Sequence, residues 1–356
     1  EAVRASGASF ANVLTFGVLP QVFGRFLGFC TYQLDSNLRN STMVGIVGAG
    51  GIGGTLFSAF QRFDYDFVLA ILISIITLIF IGEILSNVLR AVFLDNKTIL
   101  QWFGRGGAHT PVTQRGAVAA IVMSMQHLEI IPEFLYDAPE QIRDFFVRMW
   151  PMDTAFYGKS VHAALIETLN IATLGTILSL VIALPVGMLA ANNLVPFKPV
   201  NYFAKLILVS SRSVNSLVWA LLFIAVFGPG ALAGTLAIAF RSIGFVGKLF
   251  GEALEEAQRG PIEALTAVGA PKRSIFIKGY WPQVKPAFWS IALFRWDINV
   301  RESAVLGLVG AGGIGMAMDS SMNLFRWDQV AVVLLTIFAV VILAEVLVSA
   351  IRKRVI

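Results

Sequence analysis

The residues best suited to chemistry form a spaced triplet, Asp297-x-Asn299-x-Arg301, and the triplet occurs a second time as Asp35-x-Asn37-x-Arg39. Side chains four apart on a helix stand one above the other, so Asp297 can pair with Arg301. A guanidinium is planar and permanently charged, and its fork of N–H donors matches the paired oxygens of a carboxylate or another oxyanion. Two readings stay open. The pairs tie helices together, or the two arginines, one per triplet, receive an oxyanion. Arg212, in Ser210-Ser211-Arg212-Ser213, and Arg241, in Phe240-Arg241-Ser242, are further isolated cations in apolar surroundings. Either lines the same path, snorkels to an interface or bonds a neighbouring helix.

Other chemistries find little support. His109, His127 and His162 share no metal-ligand spacing, and the single cysteine, Cys30, lies in an apolar stretch as an inert thiol, so neither a metal site nor a nucleophile constellation is expected. There is no GxxxxGK[ST] sequence, hence no ATP hydrolysis by this chain alone. Gly48-x-Gly50-x-x-Gly53 and Gly310-x-Gly312-x-x-Gly315, with Gly51 and Gly313 inside them, imitate a dinucleotide fingerprint. Their flanks are long apolar segments instead of alternating strands and amphipathic helices, and the acids that follow, Asp64, Asp66 and Asp328, are misplaced for a ribose. Small residues in such surroundings allow close backbone packing or a break in a helix, and we expect a re-entrant segment near an outer face.

The elements that must hold these groups are membrane helices. Of 356 residues 56% are hydrophobic and 14% charged, whereas a soluble domain carries about 25% charged residues. The net charge of +5 is scattered between apolar runs and reads as topology, which argues against nucleic acid as a partner. The expected fold is all-α and polytopic, with about eight membrane helices: 22–38, 67–89, 115–131, 161–191, 202–227, 231–250, 284–300 and 330–351.

A self-match at an offset of 262 residues pairs 1–90 with 263–352 without a gap, with about thirty identities and VGAGGIG in both copies. Copy two has a long upstream portion that copy one lacks, and Glu1 is not a Met, so copy one is expected to be the C-terminal part of a longer unit. The domains are then 1–94, a linker 95–158 carrying one membrane helix and an external segment, and 159–356. The basic end Arg352-Lys353-Arg354 belongs in the cytoplasm. Counting back two spans places the loop 252–282 on the same side, with Lys97, Arg105 and Arg115, and leaves the acidic stretch 129–144 outside.

That loop reads as a short punctuated helix. Pro261 suits its first position, Glu263 its first turn and Gly269 a left-handed stop, while Pro271 opens a second helix. An isolated two-turn helix is unstable in water, so it must pack on a partner. Glu263, Ala264, Gly269 and Pro282 recur in register as Glu1, Ala2, Gly7 and Pro20.

Glu-Ala, then Gly five residues on and Pro thirteen after that, resembles the EAA loop of type I ABC importer permeases, with Val3 or Leu265 in place of its third Ala. From about Leu165 onward the chain also resembles the phosphonate permease family, through Glu167-Thr168-Leu169-Asn170, Gly247-Lys248-Leu249-Phe250-Gly251-Glu252, Asn299-Val300-Arg301 and Leu306 to Gly315. Asn215 stands where the resembled permeases usually carry Pro. The resemblance implies a multi-pass permease of the bacterial cytoplasmic membrane, moved by alternating access and taking up a phosphonate or a related oxyanion such as phosphite. Its partners would be two ATPase subunits docked on the coupling loops, an extracytoplasmic binding protein, membrane lipid and the rest of copy one or a second permease chain. ATP and Mg would sit on the ATPase, with no cofactor on this chain. The rival is an ion-coupled secondary transporter with internal repeats.

Overall fold

The computed structural model describes residues 40–62, 64–90, 132–195 and 197–355, together with Gly7, Ser9, Phe10, Val13, Gln33, Leu34, Ser36 and Asn37. It contains two compact units, residues 1–56 with 66–143, and 57–65 with 144–356. The described elements are helical. The expected helix at 115–131 lies outside the described residues, as does 22–38 except for Gln33, Leu34, Ser36 and Asn37, which are helical.

Ahead of residue 132 a π turn, Gly45–Ala49, leads into α1 (Gly51–Gln61), followed by α2 (Tyr65–Arg90). Helix α3 (Pro132–Arg148) covers the end of the acidic stretch and leaves Tyr136, Phe146 and Val147 exposed.

The remaining helices build the membrane bundle. Helix α4 (Thr154–Ala190) starts on Asp153, whose carboxylate accepts the Phe156 N–H, and passes through a π turn at Tyr157–Val161. Then follow α5 (Lys198–Ser213), α6 (Ser216–Phe227), α7 (Ala231–Glu255), α8 (Arg259–Ala267), α9 (Lys272–Ile275), α10 (Trp281–Leu306), α11 (Ile314–Asn323) and α12 (Trp327–Val355). Helices α4 and α7 pack backbone to backbone because their contact faces are small. A Cβ on Gly187 would stand 2.7 Å from the Gly247 carbonyl oxygen, and one on Gly251 3.2 Å from that of Gly187. Beside this seam Ala183, Ala204, Leu208, Ile243 and Val246 form one apolar cluster; Phe250, Leu254, Tyr280, Val284 and Phe288 form another at the loop end.

Among the described residues four stretches are long and apolar enough to cross a membrane: Thr154–Ala190, Ala231–Glu255, Lys272–Asn323 and Trp327–Arg354. They become five if the bent pair α5 and α6 is one span, whereas Asp66–Gly82 is apolar but shorter. The single helix expected at 202–227 is corrected to this pair, bent by 93°. Val214 and Asn215 are extended, and the Asn215 side chain accepts the Leu217 N–H at 3.1 Å. An asparagine that caps a new helix competes with continuing the old one, so the chain turns without a proline.

Candidate functional site

Helix α8 is the expected docking helix, and none of its residues is buried. Ile262 and Leu265 face inward, where a Cβ on Gly279 would touch their side chains at 3.5 and 3.3 Å. Glu263, Ala264, Thr266, Ala267 and Val268 face outward. The helix begins two residues before Pro261, so Pro261 is not its first residue and Glu263 lies beyond the first turn, two corrections to the expected punctuation. The stop is as expected: Gly269 has φ +73°, its N–H bonds the Thr266 carbonyl at 3.0 Å, and the Ala270 N–H bonds that of Leu265 at 3.1 Å. Gly7 has φ +75°, while Glu1, Ala2 and Pro20 lie outside the described residues.

Gln283, in the first turn of α10, ties this helix to the bundle, a contact the sequence did not suggest. Its Oε1 accepts the Gln258 N–H at 2.9 Å, and its Nε2 donates to the Gly279 carbonyl at 2.7 Å and the Gln258 carbonyl at 3.4 Å. Pro282, beside it, is exposed at the start of α10.

Higher on α10 the triplet divides. Arg301 pairs with Asp297, as its spacing predicts, with the Arg301 side chain 48% exposed and that of Asp297 8%. The other carboxylate oxygen of Asp297, Oδ1, is buried without a hydrogen-bond partner. Asn299 points elsewhere, being two residues from each: its Nδ2 donates to Thr176 Oγ1 on α4 at 2.8 Å, and its Oδ1 accepts from Ser242 Oγ on α7 at 3.2 Å. Asn37 accepts a 2.9 Å bond from Gln33; Asp35 and Arg39 lie outside the described residues.

Asn299 thereby joins a network the sequence did not reveal, centred on Glu302. One oxygen of Glu302 pairs with Arg241, the other with Arg295 at 3.4 Å. Arg295 Nε donates to Ser242 Oγ at 2.8 Å, and its guanidinium carbon lies 5.5 Å from the Phe245 ring centre. Arg241 reaches Ser216 Oγ, in the first turn of α6, at 3.4 Å. The side chains of Arg295, Glu302 and Arg241 are 4%, 11% and 26% exposed. The available signal was the seven-residue spacing of Arg295 and Glu302, two turns on one helix face, together with their joint replacement by Gln33 and Asn40 in copy one.

Arg212 belongs to a different place. With Lys205, Lys248, Glu252 and Glu255 it lines a cavity of about 300 Å³ at the ends of α4, α5 and α7. One residue earlier, the Ser211 hydroxyl donates to the Phe240 carbonyl and accepts the Gly244 N–H at 3.1 Å, entering the hydrogen-bond ladder of α7 beside Arg241.

The glycine motifs form sharp turns. Gly310, Gly312 and Gly313 have φ of +91°, +87° and +77°, and Gly48, Gly50 and Gly51 repeat the set at +104°, +83° and +74°. A Cβ on Gly307 would meet the Gly312 carbonyl and Gly315 Cα at 2.6 Å, so α10 and α11 cross in contact. The copy-two turn is pinned by Gly230 N–H to the Gly310 carbonyl at 2.9 Å and by Ile314 N–H to Thr168 Oγ1 at 2.7 Å. Among the described residues no group of three or more His, Cys, Asp or Glu could hold a metal ion.

The fold is a helical membrane bundle that carries an exposed, bundle-anchored short helix and a buried arginine network. The model of the binding-protein-dependent transport system inner membrane components matches residues 183–356. The phosphite transport system permease protein PtxC of Stutzerimonas stutzeri is 40% identical over 204 residues, 57% of this chain and 74% of that protein. The phosphate-import permease protein PhnE of Mycolicibacterium smegmatis is 34% identical over 360 residues, 99% of this chain; the chain spans 66% of that relative's length. The chain belongs to the family of binding-protein-dependent transport system inner membrane components. In fold it is similar to a chain of the inward-facing MetNI methionine ABC transporter, with 23% identity, a TM-score of 0.50, and coverage of 55% of this chain and 96% of that one.

Proposed function

We propose that the chain is the permease subunit of an ABC importer and conducts a phosphorus oxyanion across the bacterial cytoplasmic membrane by alternating access. The observation that carries this reading is α8: a nine-residue helix with no buried residue, held by Gln283 at the foot of a membrane helix. Such a helix is too short to persist alone and presents Glu263, Ala264 and Val268 outward, as a docking element does. ATP and Mg bind on the partner ATPase, of which two copies dock, one on each coupling loop.

In this reading residues 1–94 and 159–356 are parts of two fused permease units joined by the linker 95–158, and the remainder of the first unit or a second permease chain completes the pore. The named relatives, a phosphate-import permease and a phosphite permease, support a phosphorus oxyanion as cargo, delivered by an extracytoplasmic binding protein. The arginines Arg39, Arg212, Arg241 and Arg301 are the candidate donors along the path.

Reconstitution with the ATPase and the binding protein tests the reading. ATP-dependent phosphite or phosphate uptake is expected, and Glu263→Lys should uncouple ATP hydrolysis from it. Uptake driven by an ion gradient without the ATPase would refute the importer assignment.

A further inference from the structure

Arg241, Arg295 and Glu302 do not balance: two guanidiniums share one carboxylate, and the described contacts of the two arginines include no second anion. Asp297 does not make up the difference, because it is paired with Arg301. A surplus cation within a membrane bundle is unfavourable unless an anion can reach it. The three groups are also unequal. Arg295 is fixed, 4% exposed, bonded to Ser242 and set against the Phe245 ring. Arg241 is the most exposed of the three at 26%, and among the described residues its other side-chain partner is Ser216, at a long 3.4 Å.

Copy one changes both members of the α10 pair together. At the offset of 262 residues Arg295 faces Gln33 and Glu302 faces Asn40, while Asp297 and Arg301 keep their counterparts Asp35 and Arg39. The ion pair shared by both copies is thus separable from the Glu302 network, which on α10 belongs to copy two alone. Two neutral amides suit the same helix positions, so the charges are not a general requirement for folding this segment.

We infer that Arg241 and Ser216 form a seat for a tetrahedral phosphorus oxyanion, and that Glu302, anchored by Arg295, is a resident competitor occupying it between transport events. This inference rests on the importer reading. A carboxylate and a phosphorus oxyanion both present pairs of oxygens to a guanidinium fork, so the cargo can replace the carboxylate at Arg241 without a new set of donors. Arg295 retains Glu302 while Arg241 changes partner. The competitor lowers affinity and so speeds release, which a carrier needs as much as capture. No bond is made or broken.

Direct binding of phosphite to the purified permease, in detergent free of phospholipid so that no headgroup supplies the anion, tests the seat without ATPase or binding protein. Glu302→Gln keeps the shape and removes the competitor, and it should bind phosphite at least tenfold more tightly than the wild type while its saturated uptake rate falls at least tenfold. The triple variant R241Q/R295Q/E302N leaves no buried charge in the network and takes its two α10 residues from copy one. It should insert and co-purify with the ATPase, yet lose phosphite binding and at least nine-tenths of uptake. A triple variant that assembles and transports like the wild type, or a Glu302→Gln protein that binds phosphite no more tightly, overturns the inference. A wild type that binds phosphite but shows no ATP-driven uptake refutes the importer reading and leaves the seat standing.

Discussion

The glycine turn of copy one and that of copy two have the same residues and nearly the same backbone angles, but not the same surroundings. A Cβ on Gly45 would meet Gly53 Cα at 2.9 Å, as one on Gly307 meets Gly315 Cα at 2.6 Å, so both turns cross on themselves. At Gly48, Gly50 and Gly51 nothing among the described residues lies within 4 Å of such a Cβ. At Gly312 it would stand 2.8 Å from the Ala231 nitrogen, and at Gly313 3.3 Å from Thr168 Cα. The turn is therefore a local property of VGAGGIG, whereas its burial in copy two comes from α4 and the start of α7.

The crossing gives the largest expected effect. Gly315→Ala brings its methyl against the backbone of Ala304 and Gly307, and Gly53→Ala against that of Thr42 and Ile46, so each should cost well above the ~1–3 kcal/mol of ordinary overpacking, read as a lowered unfolding temperature in detergent. Equal losses in the two copies are expected, and a loss confined to one would break the claim that the turn is local.

Gly313→Ala and Gly51→Ala separate the copies. Both force alanine into left-handed backbone at about 1–2 kcal/mol, but only Gly313→Ala also overpacks, for about 1–3 kcal/mol more. Thermal unfolding of the two variants side by side measures the gap, and no gap would mean that the packing around the copy-two turn yields freely.

Thr168→Val removes the acceptor of the Ile314 N–H and should cost about 1–3 kcal/mol for an unsatisfied buried donor. Amide exchange at Ile314 should speed up. Smallest is Gly269→Ala, where φ is +73° and no described atom lies within 4 Å: about 1–2 kcal/mol of left-handed strain and no overpacking. The unfolding temperature should fall only by that strain, while ATP hydrolysis by the assembled complex loses its response to loaded binding protein.

Much of this architecture was legible because apolar length and glycine or proline punctuation act over short distances. The helices Tyr65–Arg90, Ala231–Glu255 and Trp327–Val355 follow their hydrophobic runs, and the repeat places Gly7 and Gly269 at matching angles. The bend at Asn215 escaped because the span 202–227 holds nineteen apolar residues and a capping asparagine is a weak signal beside them. The triplet was half legible: its four-residue pair is real, but Asn299 faces α4 and α7. Glu302 was invisible as a centre because its partners sit on two helices, 61 and 7 residues away in sequence. Such a junction is written in tertiary packing, although the exchange of Arg295 and Glu302 for Gln33 and Asn40 left a trace of it.

The Gln283 clamp turns α10 into a lever. Its short arm is tied to α8, and Pro286, which lacks the N–H that would bond to the Pro282 carbonyl, weakens the shaft just above the grip, where it would pivot. Glu302 lies sixteen residues beyond that pivot, or about 24 Å along a helix. A tilt of about 5° therefore sweeps its carboxylate through about 2 Å, enough to make or release a hydrogen bond. A small stroke of α8 would be delivered, magnified, to the carboxylate that pairs with Arg241.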